Sequence, residues 1–198
     1  MEEKWGVRIV KKVADILFCH LFYRVKYQNM EILNKQKHYI LCPNHSHILD
    51  PIWLGVKIEN VHVMAKSELF KNKIIGKFFR YLGAFPVRRE KNDLASTKYA
   101  ISIVQKGQNK LIIFPEGGIL KPDLRGKKIK RGAIYISGMA NVPMIPVTIT
   151  QRPKLFSKVM ITFKEPMIVQ QDILEDKERM TQMSEQLLHQ LYRKDKIL

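Results

Sequence analysis

The segment from Cys42 to Pro51, CPNHSHILDP, sets an imidazole and a carboxylate five residues apart, at His45 and Asp50. A carboxylate that accepts a hydrogen bond from one ring nitrogen fixes the tautomer of an imidazole and leaves the other nitrogen free as a base. An imidazole, with an ordinary pKa of ~6.5, is mostly neutral at pH 7 and suited to taking a proton from an attacking hydroxyl. On one regular helix five residues turn the chain by about 500°, which would send the two side chains to different faces. The pair therefore needs a loop that folds back ahead of a helix. Pro51 supplies the helix start, since proline fits the first helical position and keeps the residue before it out of helical geometry, so Asp50 reads as the N-cap. His47 leaves a second chemistry open, because His45, His47 and Asp50 form part of an H-x-H metal cluster. His20, His38, His62 and His189 lack the spacing that would complete it, and no metal is assigned.

Two further segments carry groups that hold an anion. In YLGAFPVRR, Tyr81 to Arg89, a helix stops at Gly83, a short strand follows, and two arginines close it. Strand residues alternate in direction, so one arginine of the pair faces the site and the other faces away. A guanidinium fork matches a phosphate monoester well. In LIIFPEGG, Leu111 to Gly118, an apolar strand delivers Glu116 and two glycines at its carboxyl end. Gly117 there lets backbone amides approach a ligand, and Glu116 either holds a basic side chain or accepts a hydrogen bond from a substrate hydroxyl. Lys121, Arg125, Lys127, Lys128, Lys130 and Arg131 then crowd ahead of Gly132, where a helical pattern begins. A cationic loop at a helix start adds to the attraction for phosphate.

In order and spacing these segments resemble the lysophosphatidic acid acyltransferase family, also called 1-acylglycerol-3-phosphate O-acyltransferase, in its short bacterial form. Asn44-His45 through Asp50 looks like the family's N-H-x4-D block, and Ala65-Lys66-Ser67-Glu68-Leu69 like the stretch that follows it. Gly83 to Arg89 looks like the phosphate-binding block, Phe114 to Gly117 like the third block, Lys130-Arg131-Gly132 like the basic element after it, and Val142 to Val147 like the fourth. The resemblance covers about residues 38 to 150. It implies His45 and Asp50 as catalytic groups, with Asn44, Lys66, Arg89, Glu116, Gly117, Lys130 and Arg131 on the substrate side. The reaction implied joins lysophosphatidic acid to an acyl group carried as a thioester by acyl-carrier protein or coenzyme A, with no cofactor. The third block departs from the family: Gly118 and Ile119 stand where Ser or Thr and then Arg are usual. That leaves the acceptor to Arg89 and the basic loop, or points to a different lyso-lipid.

The elements that must position these groups follow from apolar periodicity. Short apolar runs at 38–42, 61–65, 85–87, 111–114, 146–150 and 159–163 read as strands. They alternate with helical patterns at 51–58, 68–82, 94–105 and 133–140, and a last helix opens near Asp172 and Glu175 and runs to about Arg193. This is an α/β protein with a mixed, mainly parallel sheet flanked by helices. From Arg8 to Val25 an apolar stripe flanked by Arg8, Lys11, Lys12 and Arg24 reads as an amphipathic helix. Such a helix either lies in a lipid headgroup layer or packs on the core, and the two readings differ in whether Phe18 and Phe22 are exposed. The expected organisation is residues 1–30 as a helical membrane-association region and 31–198 as the acyltransferase domain.

Composition bounds the partners. A chain of 198 residues, 45% apolar, is long enough for one sizeable core. With 35 Lys plus Arg against 18 Asp plus Glu, its formal charge of +17 calls for an anionic partner: nucleic acid, an anionic lipid surface or a phosphorylated small molecule. No RNP-like aromatic motif or zinc module speaks for nucleic acid. No apolar run approaches the ~20 residues of a spanning helix, and the Met1-Glu2-Glu3 start lacks the features of a signal peptide. The expected location is the cytoplasmic face of the cell membrane, peripheral or monotopic.

Overall fold

The central strands of this sheet are packed on both sides, so they read as continuous apolar runs whose successive side chains enter opposite layers. In strand β2 (Tyr39–Pro43) the side chains of Ile40 and Cys42 enter one apolar cluster and those of Tyr39 and Leu41 enter the other. The same division splits Leu111 and Ile113 from Ile112 and Phe114. The computed structural model describes residues 3–88, 93–106, 109–119, 126 and 128–192. Within them lies a seven-stranded sheet in the order β1-β7-β6-β2-β5-β3-β4. Its strands are β1 (Arg24–Gln28), β2, β3 (Val61–Lys66), β4 (Ala84–Val87), β5 (Lys110–Ile112), β6 (Met144–Ile149) and β7 (Lys158–Phe163). Strands β6, β2, β5, β3 and β4 run parallel, and the β7-β1 pair joins β6 in the opposite sense, so the sheet is mixed and mainly parallel as expected.

Helices cover both faces, as parallel crossovers require. On one face lie α4 (Leu94–Val104), α5 (Gly132–Ala140) and α6 (Lys177–Tyr192), through Ala100, Ile103, Val104, Ile134, Ile136, Leu187 and Leu191. On the other lies α2 (Asp50–Gly55), through Trp53 and Leu54, beside the N-terminal helix, which contributes Cys19. Capping follows local chemistry. Asp93 accepts from the Ser96 amide at the start of α4, and Asn72 accepts from the Ile74 and Ile75 amides at the start of α3 (Lys73–Tyr81). The single helix expected over 68–82 is a short 3-10 turn, Ser67–Phe70, followed by α3. The last helix starts later than Asp172 or Glu175 suggests, because Asp176 takes the cap through the Glu178 and Arg179 amides.

The N-terminal region differs most from expectation. Helix α1 (Trp5–Ala14) continues as π-helical turns over Asp15–Leu21 and stops there. Arg24 to Gln28 then alternate exposed and buried as strand β1, paired in parallel with β7. The sheet thus takes in residues ahead of position 30, since β1 is part of it. Phe18 and Phe22 pack against the core, Lys11 donates to the Ile58 carbonyl, and Lys57 pairs with Asp15 at 2.6 Å. The opposite side of the same helix leaves Trp5, Ile9, Val13 and Ile16 exposed, with Arg8 and Lys12 exposed beside them.

Trp53 ties this layer together: it is fully buried, its indole N–H donates to the Phe18 carbonyl at 3.0 Å, and its ring meets Tyr23 edge-on. Replacing Trp53 with Ala should remove ~3–5 kcal/mol of stability, the usual cost of emptying a large aromatic site. A urea unfolding midpoint that hardly moves would mean the helix is not docked through this residue.

Candidate active site

The His45 loop begins where β2 ends, at the carboxyl edge of the parallel strands, where sites of open α/β sheets collect. Asn44 stops the strand pairing in an unusual way. Its side-chain amide donates to the Ile149 carbonyl at 3.0 Å and its oxygen accepts from the Ile149 amide at 2.6 Å, so the side chain pairs with β6 as a strand residue would. Both ends of a 1%-exposed amide are thus engaged with the backbone of β6. Asn44, expected to contact substrate, fixes the point where the loop leaves the sheet.

From that anchor the chain folds back as the spacing requires. His45 Nδ1 lies 3.0 Å from Asp50 Oδ2, and the amides of Ser46 and His47 donate to the same oxygen at 2.8 and 2.9 Å. Asp50 is fully buried. It is the first residue of α2 and its carboxylate turns backward, so it does not cap its own helix as expected; Leu49 is the N-cap. The reason is local: three donors lie within reach three to five residues upstream, and a buried carboxylate needs them. With Nδ1 directed at Asp50, the tautomer carrying hydrogen on Nδ1 leaves Nε2 as the base, and Nε2 has no hydrogen-bond partner among the described residues.

The segment that follows β5 holds the loop from its other side. The His45 ring stacks on Phe114, with centroids 4.0 Å apart, and the His45 amide donates to Glu116 Oε2 at 3.3 Å. Glu116 is buried and thus serves the loop backbone. Gly117 follows in the left-handed region, φ +76°, and Lys130 crosses it so closely that an added Cβ would lie 2.8 Å from Lys130 Cε. The Lys130 amide donates to the Pro115 carbonyl, so the basic segment is tied to the third block.

Other expected residues fall further out. Lys66, at the end of β3, is exposed and pairs with Glu68 at 3.2 Å. The Arg131 guanidinium donates to Thr181 on α6 at 2.6 Å. Arg89 lies outside the described residues, as do Lys121, Arg125 and Lys127. His47 stacks on Trp53 at 5.1 Å and accepts from the Leu49 amide through Nδ1, a role in packing. Burial pushes the Cys42 thiol well above its ordinary range, so it stays protonated and offers no thiolate. Sequence reasoning missed Phe114 and Ser46 as parts of the site. The aromatic end of an apolar strand looks like core, and nothing near Ser46 marks its hydroxyl as the acceptor for the Arg152 amide.

Comparison with known proteins is consistent with this arrangement. Residues 24–150 match the acyltransferase family. The chain belongs to that family. It is 36% identical over 172 residues to a 1-acyl-sn-glycerol-3-phosphate acyltransferase of Bacillus subtilis, covering 82% of this chain and 84% of the relative. It is 38% identical over 127 residues to the Streptococcus pneumoniae protein of the same name, covering 63% of this chain and 46% of that relative. In fold it is similar to the crystal structure of the 1-acyl-sn-glycerophosphate (LPA) acyltransferase PlsC from Thermotoga maritima, with a TM-score of 0.69 and 23% identity over 98% of this chain and 83% of that one. The acyltransferase is thus assembled on three adjacent strands, with His45 between β5 and β6.

Replacing Asn44 with Ala should orphan the Ile149 amide and carbonyl, at ~1–3 kcal/mol for each buried group left unsatisfied. Chemical denaturation would register that loss. Unchanged stability with a raised KM would instead return Asn44 to the substrate side.

Proposed function

We propose that this acyltransferase moves a fatty acyl group from an acyl thioester, of acyl-carrier protein or coenzyme A, to the sn-2 hydroxyl of 1-acyl-glycerol-3-phosphate, giving phosphatidic acid. The observation that carries the reading is the buried His45–Asp50 pair with Nε2 left as the base. His45 Nε2 takes the hydroxyl proton as the oxygen attacks the thioester carbonyl, and Asp50 stabilises the imidazolium that results. The tetrahedral intermediate then collapses, the carbon–sulfur bond breaks, and the leaving thiolate recovers the proton from His45. No acyl-enzyme intermediate is required. Arg89, with Lys66 and Lys130, is assigned to the acceptor phosphate. Arg131, engaged with Thr181, is the least suited of the basic residues to that task.

The reading extends to location. No helix among the described residues is long and apolar enough to cross a membrane. The row of Trp5, Ile9, Val13 and Ile16, flanked by Arg8 and Lys12, suits the headgroup layer of an anionic membrane, which we take to be the cytoplasmic face. Each cation near such a surface contributes about 1 kcal/mol, so binding is reversible and salt-dependent.

Mass spectrometry of phosphatidic acid formed from lysophosphatidic acid, with each thioester offered separately, tests the chemistry and identifies the donor. His45→Ala should lower kcat by ~10²- to 10⁴-fold, the range for loss of a general base. Arg89→Ala should mainly raise the acceptor KM, and an equal loss toward a phosphate-free acceptor would remove Arg89 from its assigned role. No product with either thioester in the presence of anionic lipid would move the assignment to another lyso-lipid, with Gly118 and Ile119 as the first residues to question.

A further inference from the structure

The connection between β6 and β7, residues 150–157, leaves the sheet at the same carboxyl edge as the catalytic loop, because β6 runs parallel to β2. Hydrogen bonds from two of its backbone amides tie it to the turn after β2 and to the end of the N-terminal helix. The Arg152 amide donates to Ser46 Oγ at 3.1 Å, and the Phe156 amide donates to the Phe22 carbonyl at 2.8 Å. Ser46 is itself one of the residues whose amide binds Asp50, so the loop is hydrogen-bonded directly to the catalytic turn.

What this loop presents is unusual. Leu155 is 57% exposed and Phe156 is 60% exposed. Phe156 sits at φ +62° and Arg152 at φ +48°, in the left-handed region that bulky residues rarely occupy. A chain that accepts steric strain to hold a large apolar side chain out in water calls for an apolar partner. Near the two anchor points are more such residues: Ile48, 73% exposed, lies two residues after Ser46, and exposed Leu21 lies one before Phe22. Residues 150–158 contain no carboxylate. Arg24, Arg152 and Lys154 are all exposed, and among the described residues none of them forms an ion pair.

We propose that the β6–β7 loop is a membrane wedge: Leu155 and Phe156, with Ile48 and Leu21, enter the acyl layer of an anionic bilayer while Arg24, Arg152 and Lys154 hold its headgroups. The catalytic edge then opens onto the layer that holds the acceptor, which rests on the lyso-lipid reading above. Apolar side chains ringed by cations match a bilayer, whose headgroups are anionic and whose interior is apolar. Leu21 also ends the helix that carries the exposed Trp5 to Ile16 row, so the wedge continues an apolar surface already present. An acidic carrier protein is the competing occupant, and the test below separates the two.

The test places an environment-sensitive naphthalene dye on Leu155→Cys. Cys19 and Cys42, the other two cysteines, are buried, and burial lifts the Cys19 thiol to about 12, so neither competes for the dye. Vesicles containing anionic phospholipid should shift the emission to the blue, and lipids brominated on their acyl chains should quench it. The same dye on Ile168→Cys should not respond, since Ile168 is 61% exposed but follows Met167, which bridges Met144 at the opposite, amino end of β6. The double variant Leu155→Ser, Phe156→Ser should raise the KM for acceptor in vesicles by about tenfold, while kcat toward a monomeric short-chain acceptor stays within about twofold. A silent dye at residue 155, or equal losses on both acceptors, overturns the wedge. A blue shift produced by acyl-carrier protein and not by vesicles also overturns it, in favour of a protein-docking surface. Absence of product from the unsubstituted chain would count against the acyltransfer reading alone, because the dye reports insertion without turnover.

Discussion

One buried oxygen, Asp50 Oδ2, organises the loop at the carboxyl edge of the sheet. It receives the His45 ring and the amides of Ser46 and His47, three donors to a single atom. A carboxylate taken out of water is costly unless its lone pairs are satisfied, and the nearest available donors are on the turn just upstream. Two of the three are the backbone of the loop that carries the base. The group that orients His45 is thereby also the group that shapes the loop, and neither function can be altered without the other.

Around that atom the sheet supplies rigidity from both sides. Strand β2 lies between β5 and β6, and both sides contribute a tie to the loop that leaves it: Glu116 and Phe114 from the segment just beyond β5, Ile149 from β6. Sites built on regular elements hold their geometry better than sites carried by free loops. The fourth family block, Val142 to Val147, makes sense in this light. It forms the start of β6, buried from Met144 to Val147, and its pairing with β2 brings Ile149 within hydrogen-bond reach of the Asn44 side chain. Its contribution is structural.

Much of this was legible in the residues. Period-two and period-3.6 patterns placed six of the strands and the main helices, and the NHSHILD spacing demanded a fold-back before α2. Where the reading failed, two signals competed or the partner lay far away. Arg24 to Gln28 alternate as a strand should, but they follow an apolar stripe so regular that it drew the helix on to Val25. Asp50 before Pro51 has every local mark of an N-cap, and only the geometry of the preceding turn sends its carboxylate backward. Asn44 carries no sequence mark of its strand-like pairing, because the partner is 105 residues away. Phe18 and Phe22 proved to pack inward while their neighbours on the helix stay exposed, so a single helix serves the core with one side and the surface with the other.

The 105-residue reach from Asn44 to Ile149 also bears on synthesis. A ribosome extending the chain at ~5–20 residues per second releases the His45 turn well before β6 exists to clamp it. Of the two eventual neighbours of β2, β5 emerges first and β6 only some thirty residues later, and β1 waits longer still for β7. Long-range parallel pairing of this kind is intrinsically slow, and the apolar strands stay uncovered meanwhile. The His45 turn therefore gains its β6 clamp only once residue 149 has emerged, and until then β2 presents an open edge to any strand that could pair with it.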